Sequence, residues 1–439
     1  MKTVRPARVA RSDGFVASIL SKLDLPPLAL VRQSFDRSAL TDVRAALIDE
    51  LGRSGALARV KPGMSIALTG GSRGIAAYPL LMRTLVDQLK RAGARPFITP
   101  AMGSHGGATA EGQRDILASL GIVEEAMGCP VRSSMETVEI GRTANGRPVF
   151  MDRLAWESDG VVLLNRVKYH TGFVGDHESG LLKMIVIGLG KQRGAESCHS
   201  ESLDRMPANL LAFGRTALAT GKILFGAATV ENAYDRVRKI SVVAAERIPE
   251  EEPALLREAK ACMPALPVRA ADVLVVDEIG KNISGGGMDP HVVGRMPNPS
   301  MQAGFEAQRL VVLDITEESH GSGIGLGRAD FSTQRAFEKF DFEQTYPNAL
   351  TSNVLVPSKI PIILADDRLA VAAALKTCLG VGPGEARVVR IKNSLDIERL
   401  YLSANLVAEA LATGRVELLE APRGLGFGPA GRLTGWERV

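Results

Sequence analysis

The sequence has few of the residues that mark disulfide-rich, nucleic-acid-binding or membrane-spanning proteins. Its four cysteines lie far apart without a Cys-x-x-Cys pair, which argues against a disulfide scaffold or zinc ribbon and suits a reducing compartment. Aromatic residues make up only 5% and the net charge is only +4, so neither a base-stacking surface nor a basic nucleic-acid footprint is indicated. No apolar run approaches the ~20 residues of a membrane span.

The first dozen residues are basic, and no apolar core of the signal-peptide type follows them. The basic residues are Lys2, Arg5, Arg8 and Arg11, and we therefore expect a frayed, solvated end and a cytoplasmic protein. Apolar residues make up 45% and charged residues 23% of the 439 residues, a composition typical of globular chains with room for two domains. Neither nucleic acid nor a membrane is expected as a partner.

Short β-branched runs alternate with amphipathic helical stretches along the chain. Continuous apolar strands separated by helices are typical of buried, mostly parallel sheets with helices on both faces. The sequence therefore predicts an α/β fold. The predicted strands are 65–70, 96–103, 160–167, 271–280, 309–315 and 360–367, and the clearest helices are 76–93 and 369–380.

A stretch rich in proline and acidic residues predicts a linker between two domains. The segment 248–269 carries Pro249, Pro253, Pro264 and Pro267, and a new strand is predicted to begin at Ala271. We expect domains over 1–265 and 266–439, each with a mostly parallel sheet flanked by helices, and an active site in the cleft between them. The alternative is a surface helix and loop within one large domain.

Two glycine-rich segments resemble nucleotide-binding turns. The first, IALTGGSRGIA over 66–76, joins a predicted strand to a predicted helix, as a dehydrogenase turn does. Ala76 replaces its third glycine, and none of the five tyrosines begins a Tyr-x-x-x-Lys motif, so dinucleotide binding is disfavoured. A pyridine-nucleotide-dependent oxidoreductase using the Gly70–Ala76 turn stays an alternative. The second, HGSGIGLGRADF over 320–331, leads into no helix, and we interpret it as a tight turn.

Three of the six histidines follow predicted strands or helices among glycines. His105 follows the strand PFIT, His170 follows VVLLN, and His199 ends the stretch after GLLKMIVIGLG. Because ligands bind at the carboxyl ends of strands in open α/β sheets, we expect the three to converge on one site, although each alone could be an ordinary loop histidine. Two histidines can act as base and acid on opposite faces of a substrate, and a third can bind a transition metal.

Lys183 interrupts the otherwise apolar run GLLKMIVIGLG over 180–190. Burial of an amine lowers its pKa and makes it nucleophilic. A lysine that extends its ammonium group to solvent from a helix flank is the alternative. Both interpretations stay open from the sequence.

Taken together, these segments resemble the nickel-pincer lactate racemase family. The combination of a lysine with a histidine sixteen residues later, downstream of two strand-end histidines, is the most specific part. The resemblance covers nearly the whole chain and implies a racemase or epimerase, an isomerase that inverts C2 of a 2-hydroxy acid by reversible hydride transfer. The segments are GGSRG (70–74), GSHGGAT (103–109), VKYHTGFVGDHESGLLKMIVIGLGK (167–191), Cys198-His199 and DEIGKNISGGGMDP (277–290).

The resemblance implies a role for each candidate residue. The N-terminal domain would bind a nickel-pincer nucleotide, a pyridinium thioamide/thiocarboxylate mononucleotide, with its ring linked to Lys183 and its nickel bound by His199. The C-terminal domain would close over it. The catalytic acid and base would be His105 and His170. The cofactor would also contact Ser72, Gly106 and Thr109, and the residues for the substrate carboxylate would be Arg73 with Lys281 or Arg295.

The chain departs from the family pattern around the substrate. Lactate-specific members carry an acidic residue three positions before the arginine, where this chain has Gly70, and the segment before Lys183 is longer and adds Asp176, His177 and Glu178. Lactate itself is therefore in doubt. A larger hydroxy acid such as a sugar acid is an alternative substrate, and a non-catalytic homologue that binds the pincer or a metal is an alternative function. Expected partners are a small 2-hydroxy acid, the enzymes that make and load the cofactor, and a second copy in a homodimer.

Overall fold

The computed structural model describes residues 10–201, 203–297, 301, 304–352 and 354–436. The basic residues Lys2, Arg5 and Arg8 of the expected frayed end lie outside these residues. The chain divides into two compact units, which we call the N-terminal unit (Asp36–Met263) and the C-terminal unit (Met1–Phe35 with Pro264–Val439). This division differs from the expected domains at the amino terminus, because a strand before Asp36 pairs within the sheet of the C-terminal unit.

The N-terminal unit contains a five-stranded sheet and a separate two-stranded pair. Its strands are β2 (Ser65–Gly70), β3 (Arg95–Pro100), β4 (Thr137–Arg142), β5 (Pro148–Asp152), β6 (Gly160–Arg166), β7 (Ile223–Glu231) and β8 (Val237–Ala244). The sheet order is β3-β2-β6-β7-β8, in which only the β7–β8 pair is antiparallel, and β4 pairs with β5. Because β3 and β6 lie on opposite sides of β2, the strand order reverses at β2, where open sheets bind ligands.

Helices cover both faces of this sheet. They are α2 (Val43–Ser54), α3 (Tyr78–Arg91), α4 (Ala110–Ser119), α5 (Glu124–Met127), α6 (Arg153–Glu157), α7 (Leu181–Lys183), α8 (Lys191–His199), α9 (Met206–Leu218) and α10 (Ile248–Cys262), with a π-helical turn at Met184–Gly188. Alternate residues of β6 enter two different cores: Leu163 packs with α7 and α9, and Leu164 packs with α2 and α3. A strand buried on both faces explains its continuous apolar sequence.

The proline-rich segment is a helix over most of its length, so the predicted linker is wrong there. Helix α10 begins at Ile248 with Pro249 in its first turn and buries Leu255, Leu256 and Ala259. Proline is tolerated in a first turn because the N–H it lacks has no helical partner. The chain passes to the other unit only after Met263.

The C-terminal unit is built on an eight-stranded mixed sheet. Its strands are β1 (Leu28–Gln33), β9 (Ala270–Val276), β10 (Glu306–Val312), β11 (Phe331–Thr333), β12 (Ile362–Leu364), β13 (Val388–Ile391), β14 (Arg399–Ser403) and β15 (Val416–Arg423). The order is β12-β11-β10-β9-β13-β14-β1-β15, parallel from β12 to β13 and antiparallel beyond. Its helices are α1 (Phe15–Leu20), α11 (Pro290–Val293), α12 (Gln334–Lys339), α13 (Phe342–Ser352), α14 (Asp367–Thr377) and α15 (Ala404–Leu411).

The predicted α/β class, with parallel-rich sheets flanked by helices, is confirmed. The second glycine-rich segment forms tight turns as expected, with Gly321 at φ +86° and Gly325 at φ +105°. A Cβ on Gly323 would lie 2.1 Å from the Phe340 ring, so close packing requires glycine there. Among the described residues, none forms a helix that is both long and apolar enough to cross a bilayer.

Candidate functional site

The segment that follows β2 carries Ser72 and Arg73 in an open loop. β2 ends at Gly70 and α3 begins only at Tyr78, so the loop is longer than a tight pyrophosphate turn. The Gly71 N–H donates to the Tyr78 hydroxyl (2.6 Å), and the Ala76 N–H donates to the Glu231 carboxylate (2.8 Å). Because these bonds occupy backbone donors that a pyrophosphate would need, they argue against the dehydrogenase alternative.

His105 lies on the loop that follows β3 and contacts the loop that follows β2. Its Nδ1 is hydrogen-bonded to the Ser72 hydroxyl. The pKa of His105 is lowered to about 4, first by desolvation and then by the charges of Arg73 and Lys183, although part of the ring stays accessible to solvent. The ring is therefore neutral at neutral pH. In the tautomer that donates from Nδ1 to Ser72, the Nε2 lone pair can accept a proton.

Gly106 and Thr109 shape the start of α4. Gly106 has φ +67°, and a Cβ there would lie 2.6 Å from the Gly112 carbonyl carbon, so a side chain would clash. The Thr109 hydroxyl caps the helix by accepting from the Gly112 N–H (3.1 Å), and it donates to the Gly106 carbonyl (3.1 Å). Both residues therefore build the start of this helix. A cofactor phosphate at this position would accept from the N–H groups of the first turn that Thr109 does not cap.

The loop that follows β6 carries His170 and is held by a buried carboxylate, Glu178. The Glu178 side chain accepts from the N–H groups of His170 (2.6 Å) and Gly175 (3.1 Å) and pairs with Lys260 (2.6 Å). A carboxylate with these partners can be fully buried because its charge and lone pairs are satisfied. Glu178 therefore orders the loop that presents His170.

The His170 ring is oriented by its own loop. It stacks on Phe173 with ring centroids 4.1 Å apart, and its Nδ1 accepts from the Gly172 N–H (3.0 Å). A ring nitrogen that accepts a hydrogen bond cannot carry the proton. Neutral His170 therefore has its hydrogen on Nε2, whereas His105 has its hydrogen on Nδ1 in the tautomer that donates to Ser72.

His177 serves the packing of α10. It is buried, and its Nε2 donates to the Pro249 carbonyl (2.9 Å). Desolvation is the main cause that lowers its pKa. His177 is therefore a satisfied interior histidine, and its presence in the loop has a structural explanation.

Lys183 ends α7 and leads directly into the π-helical turn. The pKa of its amine is lowered to about 8, first by desolvation and then by the charges of Lys168 and Arg73. Such an amine is partly neutral near neutral pH and can act as a nucleophile. Lys168 was missed by the sequence analysis, although it lies two residues before His170 on the exit from β6.

A buried carboxyl group, Glu252, holds the start of α7. Its Oε2 accepts from the Leu182 N–H (3.0 Å), and a Cβ on Gly180 would lie 2.6 Å from the same oxygen. Burial raises the pKa of Glu252 to about 7, against the lowering effect of the Leu182 and Leu181 N–H groups. The sequence analysis missed this residue because it assigned the segment to a linker.

His199 is the last residue of α8 and is exposed on the N-terminal unit. Its pKa is lowered, first by desolvation and then by the charge of Lys183, so its ring is a neutral potential ligand. Across the described ranges, no group of three or more histidine, cysteine, aspartate or glutamate side chains could hold a metal ion. A metal bound through His199 would therefore need most of its ligands from a cofactor.

Lys281 and Arg295 belong to the C-terminal unit. The Arg295 guanidinium pairs with Asp330 (2.7 Å) and donates to the Gln308 carbonyl (3.2 Å), contacts that fix β10. The Lys281 N–H donates to the Ser319 hydroxyl (2.9 Å). Arg295 therefore has a structural role within the C-terminal unit.

The structure brings most of the predicted site residues to one edge of the five-stranded sheet. They follow the carboxyl ends of β2, β3 and β6, which are neighbours in that sheet. Four of them, Arg73, His105, Lys183 and His199, are close enough for the charge of one to shift the pKa of another, and Lys168 joins them through its effect on Lys183. The arrangement can bind an anion, exchange a proton at a neutral imidazole and offer an amine nucleophile.

Two comparisons with known proteins bear on this site. Residues 36–209 match the family model of the lactate racemase N-terminal domain. Among solved structures, the lactate racemase apoprotein from Thermoanaerobacterium thermosaccharolyticum is similar in fold, with a TM-score of 0.52 and 10% identity over 84% of this chain and 99% of that chain. No match was found among curated protein sequences. Residues 36–209 therefore resemble the N-terminal domain of lactate racemases.

Proposed function

We propose that the protein is a nickel-dependent racemase or epimerase of a 2-hydroxy acid that works with a nickel-pincer nucleotide. The match of residues 36–209 to the lactate racemase N-terminal domain supports an isomerase of the racemase type. The observation that carries the finer proposal is the convergence of three groups, an amine of lowered pKa at Lys183, a neutral imidazole at His199 and a neutral imidazole at His105. These are the forms that anchoring a ring, binding a metal and accepting a proton require.

The donor set of the N-terminal unit fits the pincer cofactor. Lys183 would link to the pyridinium ring, and His199 would supply the one protein ligand to nickel. Ser72 and the amides near Gly106 and Thr109 would contact the nucleotide. When bound, the cofactor supplies the hydride acceptor that the protein's own side chains lack.

The side chains around it would orient the substrate and move its hydroxyl proton. Arg73 would hold the carboxylate through two parallel N–H···O bonds, which fixes the substrate while C2 becomes planar. His105 would take the hydroxyl proton at Nε2 because its ring is neutral. His170 would return a proton to the substrate oxygen from the other side. As the acid it must be an imidazolium with hydrogens on both ring nitrogens, so its Nδ1 would then release the Gly172 N–H. In the reverse direction the two histidines exchange roles.

Racemisation of an enantiopure 2-hydroxy acid tests this proposal. The protein should be produced together with the enzymes that make the pincer cofactor and assayed by chiral chromatography against lactate and larger 2-hydroxy acids. We expect one of them to lose its enantiomeric excess. Protein produced without those enzymes is the control and should leave every substrate unchanged.

Metal content and intact mass separate this function from its alternatives. We expect about one nickel per chain, lost in His199→Ala, and a covalent adduct mass, lost in Lys183→Ala. His177→Ala is the matched control and should keep the nickel, because His177 contacts Pro249 instead of the site. Loaded nickel without turnover on any 2-hydroxy acid would favour a non-catalytic homologue. Bound NAD(P) without nickel would favour the oxidoreductase.

A further inference from the structure

We propose that Lys191 and Gln113 are positioning residues, which hold the loop of His105 in register with Lys183 and His199 through a buried polar network. No role at the site follows for them from the resemblance or from the comparisons. The inference rests on the proposed function, because it concerns the geometry of that site.

Lys191 begins α8, the helix that ends at His199, and its side chain is fully buried. Its Nζ donates to the Pro100 carbonyl (2.5 Å) and to Gln113 Oε1 (3.0 Å), and it lies 3.0 Å from Asp152 Oδ2 in an ion pair. These three contacts use the three hydrogens of the ammonium group. The Lys191 amine is therefore fully engaged by its neighbours.

The backbone of Lys191 is also unusual. Its φ is +54°, in the left-handed region that residues with a side chain rarely adopt. Strain of this kind persists where the surrounding contacts hold a residue in place, and it is concentrated at functional sites. The Nζ contacts therefore fix the start of α8 against the end of β3.

Gln113 extends this network to the proton acceptor. It lies on α4 and is fully buried, and its Nε2 donates to the carbonyls of Gly103 (2.9 Å) and His105 (3.2 Å). The Gly103 N–H in turn donates to the Gly188 carbonyl (3.2 Å), at the end of the π-helical turn that follows Lys183. The backbone of His105 is thus tied to the two segments that carry Lys183 and His199.

The hydrogen bonds and the ion pair of this network are better suited to fixing the positions of the loops than to stabilising the fold. A buried ion pair is weak evidence for stability, because desolvation of both charges offsets much of their attraction. The network holds three segments at defined distances from one another. They are the loop of His105, the π-helical turn after Lys183 and the start of α8. A displacement of about 1 Å in such a constellation can cost about 10²-fold in rate.

Replacing Gln113 with methionine tests the inference without adding a charge near His105. Gln113→Met removes both donors to the His105 loop. We expect kcat to fall roughly 10²-fold with KM nearly unchanged, because Arg73 still binds the substrate. In the protein without cofactor, we expect the pKa of His105, followed by NMR of labelled histidine rings, to rise from about 4 toward its ordinary value as the loop moves away from Arg73 and Lys183.

Gln33→Met is the matched control. Gln33 is also a buried glutamine whose Nε2 donates to a backbone carbonyl, that of Ile397 (2.6 Å), but it lies in the C-terminal unit. It should lose a comparable amount of thermal stability while kcat and the pKa of His105 stay at their wild-type values. The milder Gln113→Asn, which keeps an amide on a shorter side chain, serves if Gln113→Met does not fold.

The result that would overturn the inference is a folded Gln113 variant with wild-type kcat and an unchanged pKa of His105. Failure of both variants to fold would also overturn it, because the network would then serve stability alone. The NMR measurement needs no cofactor. If the wild-type protein racemises no 2-hydroxy acid, the proposed function fails while the pKa of His105 still decides whether Gln113 positions the loop.

Discussion

Desolvation and positively charged neighbours together set the pKa values of individual residues in this site. Desolvation is the first cause that lowers the pKa of Lys183, His105 and His199. Positive neighbours add to it, Arg73 at Lys183 and His105, and Lys183 at His105 and His199. Each neighbour therefore favours the form with one proton fewer. The result is an amine that is partly neutral and two imidazoles that are neutral, ready to attack, to accept a proton or to bind a metal.

The lowered pKa of Lys183 predicts selective reactivity toward acylating reagents. In cofactor-free protein, acylation of Lys183 should increase as pH rises through about 8, because only the neutral amine attacks. Peptide mass spectrometry can follow this reaction and that of the exposed Lys61 in the same digest. Identical pH profiles for the two lysines would show that the environment of Lys183 does not activate it.

The residue scale also shows what the sequence could and could not predict about the site. Lys183 was found because a single charge in an apolar run is visible in the sequence. Lys191 follows the same run, but only the folded chain shows its amine between Asp152, Pro100 and Gln113. The roles of Gln113 and Glu252 depend on contacts with residues far along the chain, which a local pattern does not reveal.

At the scale of elements, the segment from α7 to α8 joins the two residues proposed to hold the cofactor. Glycines allow its π-helical turn to pack closely: a Cβ on Gly188 would lie 2.7 Å from the Ala101 carbonyl, and one on Gly190 would lie 2.2 Å from the Val186 carbonyl. π-helical turns occur often at functional sites. Here the turn lies between Lys183 and the helix that ends at His199.

Glu252 predicts that the stability of this segment depends on pH. Its pKa is about 7 in the folded protein, above its ordinary value, so its contribution is complete at low pH and is lost as pH rises through about 7. Relative to wild type, Glu252→Gln should therefore gain on the order of 3 kcal/mol of unfolding free energy between about pH 4 and about pH 8. Urea denaturation at several pH values measures this gain.

Glu250→Gln is the control for Glu252, because Glu250 is exposed on the same helix. Its difference from wild type should stay constant with pH. The same constancy for Glu252→Gln would contradict a raised pKa at Glu252.

Element types were predictable where the local pattern was strong. The strands β2, β3 and β6, whose ends carry the site, follow from apolar runs bounded by glycine and proline. Helix α10 was missed because its prolines indicate a break, whereas Pro249 lies in the first helical turn. Pro253 lies inside the helix without ending it, and the units separate only after Met263.

At the scale of the whole molecule, the chain crosses between the units twice, once near the predicted boundary at 265 and once near the amino terminus, after Phe35. β1 pairs with β14 and β15, more than 350 residues later, for example through Leu30 with Tyr401. No local pattern encodes such a pairing, because it depends on edges that form only when the rest of the sheet is present. The expected active-site cleft between the domains stays a prediction.

In the proposed function, C2 would be inverted by hydride transfer and return, and His105 and His170 would handle only the hydroxyl proton. The most direct measurement uses the racemised 2-hydroxy acid labelled with deuterium at C2, converted in ordinary water by cofactor-loaded protein, with product analysed by chiral separation and mass spectrometry. We predict that product of inverted configuration keeps its deuterium, because a transferred hydride does not exchange with solvent. Inverted product that has lost deuterium to the solvent would show proton abstraction at C2 and would contradict the account.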